Sequence, residues 1–206
     1  TGLQKKLASR KAKPSKATLA ISLEDLRVKQ KIADVGGSSA AVYSVVVDGW
    51  VCAMKELNLD EVPSSEQFQT EIIILASLPH HPNIVKYLFH SESPKKLRLF
   101  ITLYDGALGP ILRKRHEDKL GPFPPSILKR LLYDIASGLH FLHNHNIIHR
   151  DLKSDNIFVM NGGDPENMSL VIADFDTAHE VESPDQLLNM TIGTPGWMPA
   201  EVLEAR

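Results

Sequence analysis

The 206-residue chain has one cysteine, Cys52, so no disulfide can form within it. A lone thiol favours a reducing compartment, and the expected location is the cytoplasm, with the nucleus as an alternative. Long hydrophobic runs are absent too. Nothing approaches the roughly eighteen apolar residues of a membrane-spanning helix, so no membrane span is expected. Acids are missing from residues 1–22, which hold Lys5, Lys6, Arg10, Lys11, Lys13 and Lys16. With those six set aside, 17 bases stand against 25 acids, so residues 23–206 carry about eight negative charges. The tail lacks the apolar core of a signal peptide. It reads as a solvated, disordered extension, or else as a patch that docks acidic partners or anionic lipid. Nucleic-acid binding through it is a weaker alternative, and would show as steeply salt-dependent affinity. The rest, 43% hydrophobic and 23% charged, is ordinary for a soluble globular protein with a sizeable core.

What is present concentrates in His149-Arg150-Asp151-Leu152-Lys153-Ser154-Asp155-Asn156, where a potential general base, two cations and a metal-ligating amide fall within eight residues. Upstream, Lys31 to Tyr43 has apolar runs around Gly36-Gly37-Ser38-Ser39 and predicts a hairpin. Val42 to Val47 and Trp50 to Leu57 predict the next strands, joined by the two-residue turn Asp48-Gly49. Alternation places Val51, Ala53 and Lys55 on one face of the second of these. A small Ala beside a Lys suits a flat ring next to an anionic group. Ser64 and Gln67 have capping-box spacing. They predict a helix whose stripe Phe68, Glu71, Ile72, Leu75 contains one carboxylate, costly to bury unless paired. Lys55 is the cation available to it. His81-Pro82-Asn83-Ile84-Val85 follows, and then a strand from Lys96 to Leu103. Arg113 to Lys119 is a mixed charge run, read as a solvated helix end. Ser126 to His143 predicts a long helix with the stripe Leu128, Leu131, Leu132, Ile135, Leu139, Leu142. Four histidines near its end (His140, His143, His145, His149) raise a zinc site, but the closed four-ligand geometry of structural zinc makes it a poor reading. Ile157–Met160 and Ser169–Ile172 predict two strands across the turn 161–165. Asp174-Phe175-Asp176 and Gly193-Thr194-Pro195-Gly196-Trp197-Met198-Pro199-Ala200-Glu201 close the series.

Taken in order, these segments resemble the protein kinase family: the V-A-I-K strand, the helix glutamate, H-P-N-I-V, H-R-D-x-x-x-x-N, D-F-G and the end of an activation segment. Lys153 and Thr194 resemble the serine/threonine type, and Gly193 to Met198 the tyrosine-kinase-like and kinase-kinase-kinase types. The resemblance implies an α+β, two-lobed fold. A β-rich small lobe with one helix would span about residues 23–103, and an incomplete, mainly helical large lobe about 104–206, preceded by the basic tail. The incompleteness follows because kinases continue with several helices beyond the counterpart of Glu201.

It also implies ATP and Mg2+ as cofactors, a protein Ser/Thr hydroxyl as acceptor and an upstream kinase as partner. Asp151 would orient the hydroxyl and take its proton, and Lys153 would offset charge on the transferring group. Asn156 and Asp174 would hold magnesium. Lys55, paired with Glu71, would position phosphates. Val35, Gly36, Gly37, Val42, Ala53, Thr102, Leu103, Tyr104 and Phe158 would complete the nucleotide pocket, Thr102 at its back and Phe158 as its floor. Thr191 would be the activation-segment phosphorylation site, ahead of Thr177 and Ser183, with Arg150 able to pair the phosphate. His149 would support the catalytic loop from within the core. Two departures stand out. Only Gly37 occupies one of the three positions of the glycine-rich loop, and Asp176 replaces the glycine of D-F-G, where it is expected to hinder flipping of the segment. Both leave open the alternative of a kinase-fold scaffold with weak or no phosphotransfer.

Overall fold

A computed structural model describes residues 23, 26–34, 40–183, 186, 188 and 191–204. The chain divides into two compact units. One contains residues up to Pro79 together with Lys86–Leu103; the other contains His80–Val85 and residues from Tyr104 onward.

The first unit is built on an antiparallel sheet of β1 (Arg27–Asp34), β2 (Ala40–Val47), β3 (Trp50–Asn58), β4 (Tyr87–Glu92) and β5 (Lys96–Ile101), in the order β1-β2-β3-β5-β4. Asp48 and Gly49 both take positive φ, 47° and 79°, as a two-residue turn matching strand twist requires. One face of the sheet buries Val45, Val47, Cys52, Met54 and Phe100, with Leu23, Leu26, Tyr43 and Phe89 packed against them. Phe89 stacks on Phe100 with centroids 4.1 Å apart. Helix α1 (Glu66–Ser77) buries Phe68, Glu71, Ile72, Ile73, Ile74 and Leu75. The capping box expected at Ser64 and Gln67 does not form. Ser65 is the N-cap, and it makes no side-chain cap bond to the backbone. Ser64 Oγ accepts from Glu66 N at 3.2 Å instead, and Gln69 Nε2 donates to Ser65 Oγ at 2.9 Å. The strand predicted to reach Leu103 ends at Ile101, because Thr102 N turns to donate to Lys86 O at 3.1 Å.

In the second unit, β6 (Gly106–Ala107), β8 (Ile157–Met160) and β9 (Ser169–Ile172) form a small sheet in the order β6-β8-β9, and β7 (Ile147–Ile148) pairs with β10 (His179–Glu180). Three helices, α2 (Leu108–Glu117), α3 (Pro125–Asn144) and the short α4 (Ala200–Glu204), complete its described part. Residues His80–Val85 dock on β9. Val85 N donates to Ile172 O at 2.8 Å, Ile172 N to Asn83 O at 2.9 Å, and Asn83 Nδ2 to Leu170 O at 3.0 Å. Helix α3 buries part of the predicted stripe, with Leu131 and Leu142 buried and Ile135 and Leu139 half-buried, but the face is rotated at its start. Ile127, Leu131, Gly138 and Leu142 are buried, while Leu128 and Leu132 remain exposed. A Cβ on Gly138 would lie 2.7 Å from Asn83 O, so the helix makes its closest approach along the line of that glycine. No helix among the described residues is long and apolar enough to cross a membrane.

Candidate active site

In the first unit, the alternation of β3 places Lys55 in the middle of the sheet, opposite Val42 on β2 and Leu99 on β5. Its Nζ meets Glu71 Oε2 of α1 at 2.7 Å and lies 5.5 Å from the centroid of the Phe68 ring. Both side chains are buried, at 10% and 5% exposure. An isolated charge at that depth is very costly, so each residue requires the other. Ala53, two residues before Lys55 on the same face, is also buried, and Val42 is half-buried. Thr102 is half-buried and Leu103 is 37% exposed.

In the second unit, the loop after β7 gathers the groups named in the sequence. His149 is buried and set edge-on to Phe175, with centroids 5.1 Å apart. Its Nε2 faces the Ala173 carbonyl at 2.9 Å, and its Nδ1 receives Asp151 N–H at 3.3 Å. A carbonyl can only accept and an amide N–H can only donate, so the ring is neutral with its proton on Nε2. Burial pushes its pKa down, against the opposing hydrogen bond to Ala173. Arg150, in the left-handed region at φ 66°, donates from Nε to Thr177 O at 2.6 Å, and Thr177 Oγ1 donates to His149 O at 3.2 Å.

Asp151 is the focus of the loop. Lys153 Nζ donates to its Oδ2 at 2.8 Å, Thr194 Oγ1 to its Oδ1 at 2.6 Å, and Asn156 Nδ2 to its Oδ2 at 3.0 Å and its carbonyl at 2.8 Å. Lys153 Nζ also reaches Thr194 Oγ1 at 2.6 Å. Partial burial would raise the Asp151 pKa. The hydrogen bonds from Lys153 and Thr194, with the Lys153 charge, more than offset that and hold the carboxyl below its usual range. Thr194 reaches this position because Gly193 is at φ 131° with no side chain; a Cβ there would sit 2.6 Å from Arg150 O. Asn156 commits its amide nitrogen to Asp151 and its carbonyl to Ala173 N at 2.9 Å, which leaves the amide oxygen as its ligand atom. Asp174 is half-buried, at φ 63°. An amide oxygen and a carboxylate are the hard donors that suit Mg2+. Tyr104 tilts against Phe158, with centroids 5.8 Å apart.

Residues 29–206 match the protein kinase domain. The chain belongs to the protein kinase family. Among similar proteins, the Kinase and exchange factor for Rac B of Dictyostelium discoideum is 38% identical over 192 residues, covering 91% of this chain and 16% of that protein. MAP3K epsilon protein kinase 1 of Arabidopsis thaliana is 32% identical over 160 residues, covering 76% and 11%. Serine/threonine-protein kinase ATG1b of Arabidopsis thaliana is 33% identical over 161 residues, covering 77% and 22%. The chain thus spans less than a quarter of the length of these relatives.

Of the kinase residues named from sequence, the structure brings together Lys55 with Glu71, and Asp151 with Lys153, Asn156 and Thr194. Val35, Gly36 and Gly37 lie outside the described residues. Thr191 is exposed, whereas the Thr194 hydroxyl is bound to Asp151 and Lys153. The left-handed backbone of this segment falls on Asp174 and not on Asp176, so replacing glycine at 176 incurs no left-handed strain here. The histidines near the end of α3 have local partners: His140 Nε2 with Asn144 Nδ2 at 3.0 Å, and His145 Nδ1 with Phe141 O at 2.8 Å. The contact of Thr194 with Asp151 was not foreseen, since 43 residues separate the two and no local pattern links them.

Proposed function

We propose that this domain transfers the γ-phosphoryl group of ATP to Ser or Thr hydroxyls of protein substrates. The observation that carries the proposal is the Asp151 carboxylate accepting an aliphatic hydroxyl at 2.6 Å with the Lys153 ammonium beside both. That is the arrangement a substrate hydroxyl needs for its proton to be taken as it attacks. The hydroxyl oxygen bonds to the γ-phosphorus, the bond from that phosphorus to the β–γ bridging oxygen breaks, and ADP leaves. The hydroxyl proton passes to Asp151. Its lowered pKa keeps it ionised and ready as an acceptor at neutral pH. Lys153 offsets charge on the transferring group, and Lys55, fixed by Glu71, binds the α- and β-phosphates. Asn156 and Asp174 would hold magnesium, which when bound neutralises phosphate charge. In this reading Ala53, Val42, Thr102, Leu103, Tyr104 and Phe158 would contact the nucleotide, and Val35, Gly36 and Gly37 would belong to its phosphate-binding loop. An upstream kinase phosphorylating Thr191, and a cytoplasmic or nuclear location, belong to the same reading.

Transfer of radiolabel from ATP to a generic protein substrate, measured on the full-length protein, tests it. Asp151→Asn should lower incorporation by about 10²- to 10⁴-fold, the range for a lost general base. Lys55→Met combined with Glu71→Leu, which removes both buried charges, should abolish incorporation while the protein remains folded. Equal incorporation by wild type and both variants would leave a kinase-fold scaffold as the better description.

A further inference from the structure

Asp155 lies next to Asn156 in the catalytic loop, and its carboxylate is packed where almost no side chain opposite would allow it. A Cβ placed on Gly109 would have the Asp155 carboxylate as its nearest neighbour, 2.6 Å from Oδ1, 2.8 Å from Cγ and 3.0 Å from Oδ2. Gly109 is the second residue of α2 and does not have positive φ. A side chain at 109 would force the Asp155 carboxylate to shift, so glycine serves there for space and not for its backbone. Arg113, one helical turn on and on the same face, places Nη2 3.2 Å from Asp155 Oδ1. The carboxylate also lies at the N-terminal end of a ten-residue helix, where the macrodipole favours an anion.

Asp155 is the middle residue of the 3-10 turn Ser154–Asn156, closed by Asn156 N donating to Lys153 O at 3.0 Å. A displaced residue 155 carries Asn156 with it. The Asn156 amide is what ties the Asp151 carbonyl and carboxylate together. We propose that Gly109 and Asp155 are positioning residues: the side-chain-free notch in α2 seats the Asp155 carboxylate and thereby holds Asn156 against Asp151. As a statement about catalysis this rests on the phosphoryl-transfer reading. Steric fit carries it more than charge, because the Arg113–Asp155 pair is exposed on both sides, at 60% and 44%, and such pairs contribute little.

The test compares Gly109→Ala, Asp155→Ala, Asp155→Asn and the double variant Gly109→Ala/Asp155→Ala in the full-length protein. Gly109→Ala should lower kcat by about tenfold to a hundredfold with KM for ATP within about twofold, as expected of a misplaced but intact site. The double variant, which removes the three atoms nearest the new Cβ, should return to the level of Asp155→Ala alone. Asp155→Asn should lose less than Gly109→Ala. Amide hydrogen exchange supplies a readout independent of turnover. Exchange at Asn156 and Ala173 should quicken in Gly109→Ala, recover in the double variant, and stay unchanged at Val85 throughout. Unaltered kcat and exchange in Gly109→Ala would overturn the proposal. So would a double variant as impaired as the single, or a greater loss from Asp155→Asn. If the wild type transfers no phosphate, the phosphoryl-transfer reading fails, and exchange alone decides whether the notch holds the loop.

Discussion

The two charged groups of this kinase domain are held by opposite means. Lys55 and Glu71 form a buried contact between a strand and a helix, at 10% and 5% side-chain exposure. Asp151 and Lys153 are nearly as close, 2.8 Å, but sit at 12% and 21%, and they share a network with Thr194 and Asn156. In the first arrangement both charges are deeply buried, so removing one partner leaves the other charge in the core without its closest counter-ion. The second spreads its satisfaction over three donors, so losing one shifts the electrostatics of Asp151 without stranding it. The buried pair therefore couples charge to folding, and the loop network couples charge to chemistry.

Three experiments can break or sharpen that contrast. The largest effect is expected at the buried pair. Glu71→Ala should cost about 3–5 kcal/mol of stability in urea unfolding, the typical loss when one member of a buried pair is removed. Replacing both partners, Lys55→Met with Glu71→Leu, should recover most of it. A double variant as unstable as the single would show that packing, and not the stranded charge, sets the cost. At the loop, Thr194→Val and Lys153→Met should leave stability nearly unchanged and raise the Asp151 pKa toward its ordinary value of 3.8, Lys153→Met more so, since its hydrogen bond is the chief lowering influence. Carbon-13 titration of the Asp151 carboxyl measures this, and an unmoved pKa in both variants would dissolve the network.

The smallest effect is acid sensitivity. Burial lowers the pKa of His81, aided by the nearby His80. Burial also lowers the pKa of His149 and of His90, against the opposing charge of Glu92 in the latter case. A histidine with a depressed folded-state pKa binds fewer protons folded than unfolded. Its contribution is complete above the unfolded value of 6.5 and is lost as pH falls through that value toward the folded one. Urea midpoints should drop between pH 7.5 and 5.5. His90→Gln, which keeps a polar partner for the Tyr87 hydroxyl now 2.7 Å from His90 Nδ1, should flatten the slope. An unchanged slope would remove His90 from the account.

Much of the fold was legible wherever a residue's requirement is local. Asp48-Gly49 announced its turn because two consecutive positive φ values admit few residue pairs. Lys55 and Glu71 could be paired because a carboxylate in an apolar helical stripe and a lysine in a small-residue strand each need a counter-charge. Requirements set by distant surfaces were not legible. Leu128 and Leu132 fit the helical period as well as Leu131 does, and it is what packs against the helix, Asn83 and Ile172 beside Gly138 among it, that decides which are buried. The capping box failed because Ser64 and Ser65 offer equivalent hydroxyls one residue apart. Asp174 takes the left-handed conformation that the glycine rule had suggested for residue 176. Nothing local marks Gly109, because its neighbour Asp155 lies 46 residues on in the sequence.

Residues His80–Val85 lie within the sequence of the first unit and belong structurally to the second. The backbone therefore crosses between the units three times, after Pro79, Val85 and Leu103. Neither unit is a contiguous stretch that a gene fragment could encode. A piece ending at Leu103 would carry Asn83 and Val85 without Leu170 and Ile172, exposing an edge of unpaired amides and carbonyls. Whoever divides this domain for crystallography, split reporters or domain exchange must treat the six-residue excursion as a stitch. The workable cuts are those that keep both of its ends with β9.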